Sequence, residues 1–129
     1  MVKTHRITSS WLAVSHGTGE LPFYNDKENT VYWIDIHGRR LHQCRNVNEN
    51  EQHSSIAVPD DQQYATGIFC SSSTLFASGR DDIARITWPE KASTVQWETI
   101  VSLKPCREEG GPTWDGMRLN EACTDSRVL

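Results

Sequence analysis

The segment Thr30-Val31-Tyr32-Trp33-Ile34-Asp35-Ile36 is rich in β-branched and aromatic residues. A turn-prone run, 25–29, precedes it and a His-Gly pair follows it, so the pattern predicts a strand that ends in a tight turn. Because alternate side chains of a strand point to opposite faces, Trp33 lies on one face and Tyr32 and Ile34 lie on the other. Both faces are apolar, and the strand is therefore expected to be covered on both sides.

The same pattern recurs at residues 74–79, and the offset between Thr30 and Thr74 is 44 residues, the difference of the two positions. This offset also aligns residues 52–58 with residues 96–102, so the repeat extends beyond one hairpin. A period near 44 residues with several short strands per copy falls in the range of about 40–45 residues that propeller blades use. Chance similarity between two β-hairpins remains the alternative.

Further candidate strands lie between these anchors. Residues 41–44 and 83–86 are interpreted as third strands, and residues 64–70 open the second copy. Each copy then holds about four strands, as a propeller blade does. Apolar residues do not recur at helical spacing in any long window, so no helix is expected. The predicted fold is all-β, as part of a β-propeller.

The expected domain organisation follows from the two copies. Blade one covers about 11–60 and blade two about 63–104, and a polar loop rich in glycine and proline occupies 105–116. Residues 117–129 read as the start of a third blade. We therefore expect the chain to stop before a propeller could close, leaving open blade edges through which it could self-associate.

Composition and charge exclude several function classes. The chain has 129 residues, of which 36% are hydrophobic, and its 17 acidic and 13 basic residues are scattered to give a net charge of -4. No basic stripe suited to a phosphate backbone is present, so nucleic acid is not an expected partner. No apolar stretch is long enough for a membrane span or a signal peptide, which favours a cytoplasmic protein without membrane contact.

The cysteines are widely spaced along the chain and form no Cys-x-x-Cys pair. Four reduced thiols are expected in a protein of the cytoplasm, and a disulfide framework would fit a secreted protein better. The four positions are Cys44, Cys70, Cys106 and Cys123.

Three short motifs carry a family resemblance. Gly-Glu-Leu-Pro at 19–22, the strand at 30–36 and Arg-Leu-Asn-Glu at 118–121 resemble, in order and spacing, signatures of the gluconolactonase, senescence marker protein (regucalcin) and luciferin-regenerating enzyme family. The resemblance implies a six-bladed propeller that hydrolyses sugar lactones. It also implies one divalent cation, Ca, Zn, Mn or Mg, in the central channel, where oxygen ligands suit a hard ion.

The resemblance also implies roles for individual residues. Glu20 matches the glutamate that binds the metal, and Arg118 and Asn120 match the pair that holds substrate oxygens. The family's further asparagine ligand and its acid/base aspartate would fall beyond Leu129, so no catalytic residue is expected within this chain. Leu21 departs from the pattern because it stands where the family has a second glycine, and Glu121-Ala122 departs because it replaces Asp-Gly.

Each assignment has a structural alternative. Glu20 could be a solvated loop carboxylate, and Arg118 and Asn120 could be polar residues on the wet face of an edge strand. His37 is interpreted as a turn residue. Asp35, between two isoleucines, is interpreted as a structural hydrogen-bond acceptor.

Two functions follow from these observations. The leading hypothesis is a metal-dependent hydrolase of sugar lactones, present here as an incomplete chain that is inactive alone. The alternative is a non-catalytic propeller fragment that binds a partner by adding strands at its open edges.

Overall fold

A computed structural model describes residues 17, 19–62, 65–71, 74–89 and 91–104. The eight elements of this part are all β-strands, as the residue pattern predicts. They are β1 (Gly19–Asn25), β2 (Thr30–Asp35), β3 (Arg40–Arg45), β4 (Gln52–Ala57), β5 (Gly67–Ser71), β6 (Thr74–Ser78), β7 (Asp82–Thr87) and β8 (Gln96–Ser102). The predicted loop at 105–116 and the predicted strand after it lie outside the described residues.

The strands form two antiparallel sheets of four strands each, in the orders β1-β2-β3-β4 and β5-β6-β7-β8. Each strand pairs with its neighbour in sequence, which is the pattern of a meander. The offset of 44 residues holds for the start of β2 against β6 and of β4 against β8. Between β3 and β7 the offset is 42, because β6 and the turn after it are each one residue shorter than β2 and its turn.

The first strand of the second copy begins later than the sequence predicts. Strand β5 starts at Gly67 rather than at residue 64. Thr66 lies just before it, and its hydroxyl donates hydrogen bonds to the carbonyls of Ser78 and Gly79 at 3.2 and 3.3 Å. The Thr66 N–H also donates to the Ser78 carbonyl at 2.7 Å, so the backbone is already bonded to the end of β6 just before β5 begins.

The core lies between the two sheets and is built from one face of each. Strands β1 and β2 lie against β5, so the inner ends of the two sheets are neighbours. In β2, Ile34 is fully buried in this core, and Trp33, on the opposite face, is only 9% exposed. The strand is thus covered on both faces, as its apolar pattern predicts. The buried core residues are Tyr32, Ile34, Ile36, Leu41, Ile56, Val58, Ala65, Ile68, Ala77, Ala84, Ile86 and Val95.

Cys44 is the cysteine whose side chain the structure describes. It is a buried free thiol, in agreement with the predicted reduced state at this position. Burial, and secondly the negative charge of Glu51, raise the pKa of the Cys44 thiol. Within the described ranges, no helix is long and apolar enough to cross a membrane.

Candidate functional site

Glu20 lies near the start of β1, where its backbone pairs with Ile34 of β2. Its side chain is half-buried. Strand β1 is an edge strand of the first sheet and also lies against β5 of the second. Glu20 therefore lies on a strand. The part of the structural alternative that placed it in a loop is wrong.

A β-bulge follows Glu20 directly. The ladder pairs Glu20 with Ile34 and Phe23 with Tyr32, so three steps along β1 correspond to two along β2. The extra residue is accommodated by Leu21, which adopts a left-handed backbone with φ of 52°. Bulges change the direction in which neighbouring side chains point and occur often beside active sites. The bulge therefore sets where the Glu20 carboxylate points.

Pro22 explains why the bulge is tolerated at this position. Proline has no N–H to give to a ladder and is confined to edge strands, first positions and bulges. Strand β1 is the edge of its sheet, and Pro22 lies inside the register shift. The Leu21-Pro22 pair thus permits a break in pairing immediately after the glutamate.

The chemistry of Glu20 fits one ligand of a hard cation, but the described residues do not complete a site. Within the part of the chain that the structure describes, the Glu20 carboxylate has no hydrogen-bond or ion-pair partner, which leaves both oxygens available. Among the same residues, no group of three or more histidine, cysteine, aspartate or glutamate side chains could hold a metal ion. One carboxylate is less than the usual oxygen set of Ca²⁺ or Mg²⁺.

Arg118 and Asn120 lie outside the described residues. Their predicted convergence with Glu20 on one pocket therefore stays a prediction. The departures at Glu121-Ala122 lie in the same part of the chain.

Asp35 and His37 have the structural roles that the sequence predicts. One oxygen of Asp35 accepts the backbone N–H of Gly38 at 2.9 Å, and the other accepts that of Gly17 at 2.9 Å. His37 is exposed in the turn that joins β2 to β3. The Asp35 carboxylate therefore ties the backbone at Gly17 and Gly38 to the end of β2.

The family comparison supplies the identification. A model of the family described as "SMP-30/Gluconolactonase/LRE-like region" matches residues 18–127, which is most of the chain. The chain belongs to this family. Members of the SMP-30/gluconolactonase family are β-propellers and lactonase-type enzymes that are generally metal-dependent. The two four-stranded sheets agree with that fold.

Comparison with solved structures agrees on the fold. The chain is similar to a luciferin-regenerating enzyme with a TM-score of 0.58 and 20% sequence identity. The match covers 70% of this chain and 29% of that one, so the chain spans less than a third of the enzyme's length. A search of curated proteins found no match.

In this member of the SMP-30/gluconolactonase family, the residue directly after Glu20 is a leucine with a left-handed backbone. A positive φ costs a leucine more than a glycine, because its Cβ lies close to the backbone. Leu21 is partly buried and packs against the core, which offsets part of this cost. Packing of the Leu21 side chain therefore supports the left-handed conformation beside the candidate site.

The structure also brings together a group that the sequence analysis missed. Trp33, His42 and His53, from β2, β3 and β4, lie on the face of the first sheet opposite the shared core. His42 Nδ1 lies 3.1 Å from His53 Nε2. The Trp33 ring is nearly parallel to both imidazoles, with centroids 5.1 and 5.4 Å away. Side chains alternate between the two faces of a strand, so the sequence would have placed these three rings on one face if the register of β2, β3 and β4 had been known.

A polar cleft opens between the sheets at the end far from Glu20. It has a volume of about 360 Å³ and its lining includes Glu28, Arg45 and Arg85. The Glu28 carboxylate accepts the Tyr32 hydroxyl at 3.0 Å, and Arg85 forms an exposed ion pair with Glu98 at 3.4 Å. Glu28 and Arg85 are therefore engaged within the protein itself, and Glu20 is not among the residues that line the cleft.

Proposed function

We propose that this chain forms the first part of a metal-dependent hydrolase of sugar lactones. The observation that carries the proposal is the family match over residues 18–127, which includes the glutamate motif at the bulge of β1. The half-buried Glu20 carboxylate, without a partner among the described residues, supports a role as a ligand.

In this proposal the chain's own residues bind and orient. Glu20 supplies a carboxylate oxygen to a divalent ion, Ca, Zn, Mn or Mg, and the rigid ladder beside the bulge keeps that oxygen in place. Arg118 and Asn120 donate hydrogen bonds to hydroxyl and carbonyl oxygens of the lactone, which holds the ring against the cation. The bound ion supplies positive charge that polarises the lactone carbonyl. Proton transfer requires a further carboxylate, which family members carry in a later blade.

The proposed assembly is a six-bladed propeller in which the two sheets are blades one and two. Blade one covers about 11–60, blade two about 63–104, and residues 117–129 begin the third. A propeller buries its inner strands by closing a ring of blades, and the similar solved chain is more than three times as long as the matched part. We therefore expect the 129-residue chain alone to lack lactonase activity.

Calorimetric titration tests the role of Glu20. We expect Ca²⁺ or Mn²⁺ to bind the full chain weakly. We expect Glu20→Gln to reduce that affinity by roughly tenfold or more, since the amide keeps one oxygen but loses the negative charge of the carboxylate. Glu98→Gln is the matched control because Glu98 is an exposed carboxylate on the edge strand β8. Equal binding by the wild type and Glu20→Gln would remove Glu20 from the site.

Gluconolactone hydrolysis tests the proposed activity and its need for further blades. The proposal expects no hydrolysis by the 129-residue chain with any of the four ions. It expects hydrolysis by a longer product of the same gene that supplies the later blades, and loss of that activity in its Glu20→Gln variant. Metal-dependent hydrolysis by a monomer of the short chain would contradict the proposed need for further blades.

A second candidate function rests on the edge strand β8. Most of its side chains are exposed, and Ile100 and Val101 are apolar with 45% and 48% exposure. Exposed apolar edge strands are templates for pairing with another strand. On this reading the chain is a non-catalytic module that pairs with itself or with a partner along β8.

Sedimentation velocity tests self-pairing along β8. An edge-pairing module should associate, and Val101→Lys should return it to a monomer because a lysine on an edge strand blocks pairing. Lys104→Ala, at an exposed position just beyond β8, is the control. A wild type that is monomeric at all concentrations would contradict self-pairing along β8.

A further inference from the structure

The strongest unexplained feature of the structure is the group of Trp33, His42 and His53. Their three strands are neighbours in the ladder, where Trp33 pairs with His42 and His42 pairs with Ser55. His53 lies two residues before Ser55 on β4 and therefore faces the same side as His42. Adjacent strands thus hold two imidazoles on one face in fixed register.

The distance between the two nitrogens suits a shared metal ion. His42 Nδ1 and His53 Nε2 are 3.1 Å apart. An ion bound at about 2.0–2.1 Å from each nitrogen would see them at an angle of about 100°, between the octahedral and tetrahedral values. The separation of the two nitrogens therefore matches that of two neighbouring ligands on one ion.

The two imidazole rings differ in solvent exposure. His42 is 4% exposed, whereas His53 lies exposed on the edge strand β4. The Trp33 ring lies within 16° and 18° of parallel to the two imidazoles. The buried ring is thereby held in place, and the exposed ring can turn its nitrogen toward an ion that arrives from solvent.

We propose that His42 and His53 form a two-histidine binding site for a divalent transition-metal ion. One of the two nitrogens carries the hydrogen of their contact, and before the ion binds that proton moves through solvent to the other nitrogen of the same ring. Each neutral imidazole then offers one lone pair, from Nδ1 of His42 and Nε2 of His53, and water molecules fill the remaining positions of the ion. Imidazole nitrogen favours Cu²⁺, Ni²⁺ and Zn²⁺ over Ca²⁺ and Mg²⁺, so this site differs in ion preference from the oxygen site proposed at Glu20. The inference does not depend on the proposed lactonase function.

Titration of the full chain with Cu²⁺ tests the site. We expect His53→Ala to weaken Cu²⁺ binding by at least about tenfold, since even an outer-shell partner of a metal-binding histidine contributes roughly 10- to 100-fold. His37→Ala is the matched control, because His37 is exposed in a turn of the same sheet, and it should leave the affinity unchanged. Glu20→Gln should also leave it unchanged, which separates this test from that of the proposed function.

A second measurement remains informative if the variants fold poorly. In the wild-type chain, substoichiometric Ni²⁺ or Cu²⁺ should broaden the imidazole ring resonances of His42 and His53 before that of His37. Broadening of both rings together, with the loss of affinity in His53→Ala, would support the site. Equal Cu²⁺ affinity in His53→Ala and wild type, or broadening that spares His42 and His53, would overturn it.

Discussion

The carboxylate of Asp35 fills the space that a side chain at position 38 would need. A Cβ built on Gly38 would overlap the carboxylate and would lie 2.7 Å from Asp35 Cγ. In the second hairpin the glycine comes first and the aspartate follows it, but the same two side-chain positions overlap. A Cβ on Gly79 would overlap the carboxylate of Asp82, although Gly79 is the residue that the offset of 44 aligns with Asp35.

Gly38→Ala should destabilise the fold, because the new methyl group must displace a carboxylate that accepts two backbone N–H groups. We expect a loss of about 1–3 kcal/mol in the free energy of unfolding, the range for leaving buried polar groups unsatisfied. Urea unfolding measures the loss. In an Asp35→Ala background the same glycine substitution should cost much less, because the overlap is gone. Additive costs in the double variant would refute the steric explanation.

Asp82 should be needed to hold the edge strand β8. Its Oδ2 accepts the Trp97 indole N–H at 2.9 Å and the Thr99 hydroxyl at 2.6 Å. Asp82→Ala leaves both donors without this acceptor, so amide exchange in β8 should accelerate and stability should fall by about 1–3 kcal/mol. Asp82→Asn keeps an acceptor oxygen and should cost less. If the two variants behave alike, these hydrogen bonds do not anchor β8.

Arg39 should stabilise the connection between the two sheets. Its Nη2 donates to the carbonyls of Pro59 and Gln62 at 3.2 and 2.7 Å, and both lie in the segment that leads from β4 toward β5. Arg39→Met keeps much of the aliphatic side chain but removes the donors, so limited proteolysis after residue 59 should become faster. Arg40→Met is the control, because Arg40 bonds Ser55 within the first sheet instead. Equal cleavage rates in the two variants would contradict this role.

Cys44 should make stability depend on pH in the alkaline range. Because its pKa in the folded chain is raised above the ordinary value of 9.0, the folded state holds the thiol proton more tightly than the unfolded state does. This contribution is complete below the unfolded pKa and is lost as pH rises through the folded pKa. Unfolding midpoints should therefore fall more steeply above about pH 9 in the wild type than in Cys44→Ala. Parallel pH profiles would contradict the assignment.

Local sequence features determined much of this protein. Alternating apolar residues and turn residues predicted β2, β3 and the repeat, because strand periodicity and turn chemistry act over a few neighbouring residues. Local reasoning also predicted Asp35 as a structural hydrogen-bond acceptor and His37 as a turn residue, and the structure shows both. The family motif at 19–22 predicted Glu20 as a metal ligand.

Tertiary structure decided the register between strands. The change of offset from 44 to 42 at the second hairpin, the start of β5 at Gly67 and the bulge after Glu20 all depend on which residues pair across the ladder. The meeting of His42 with His53 depends on the same pairing. A slip of one residue would send every side chain of a strand to the other face, and burial of one face against the second sheet therefore selects the register. Residues distant in sequence therefore became neighbours for a reason that no local pattern contains.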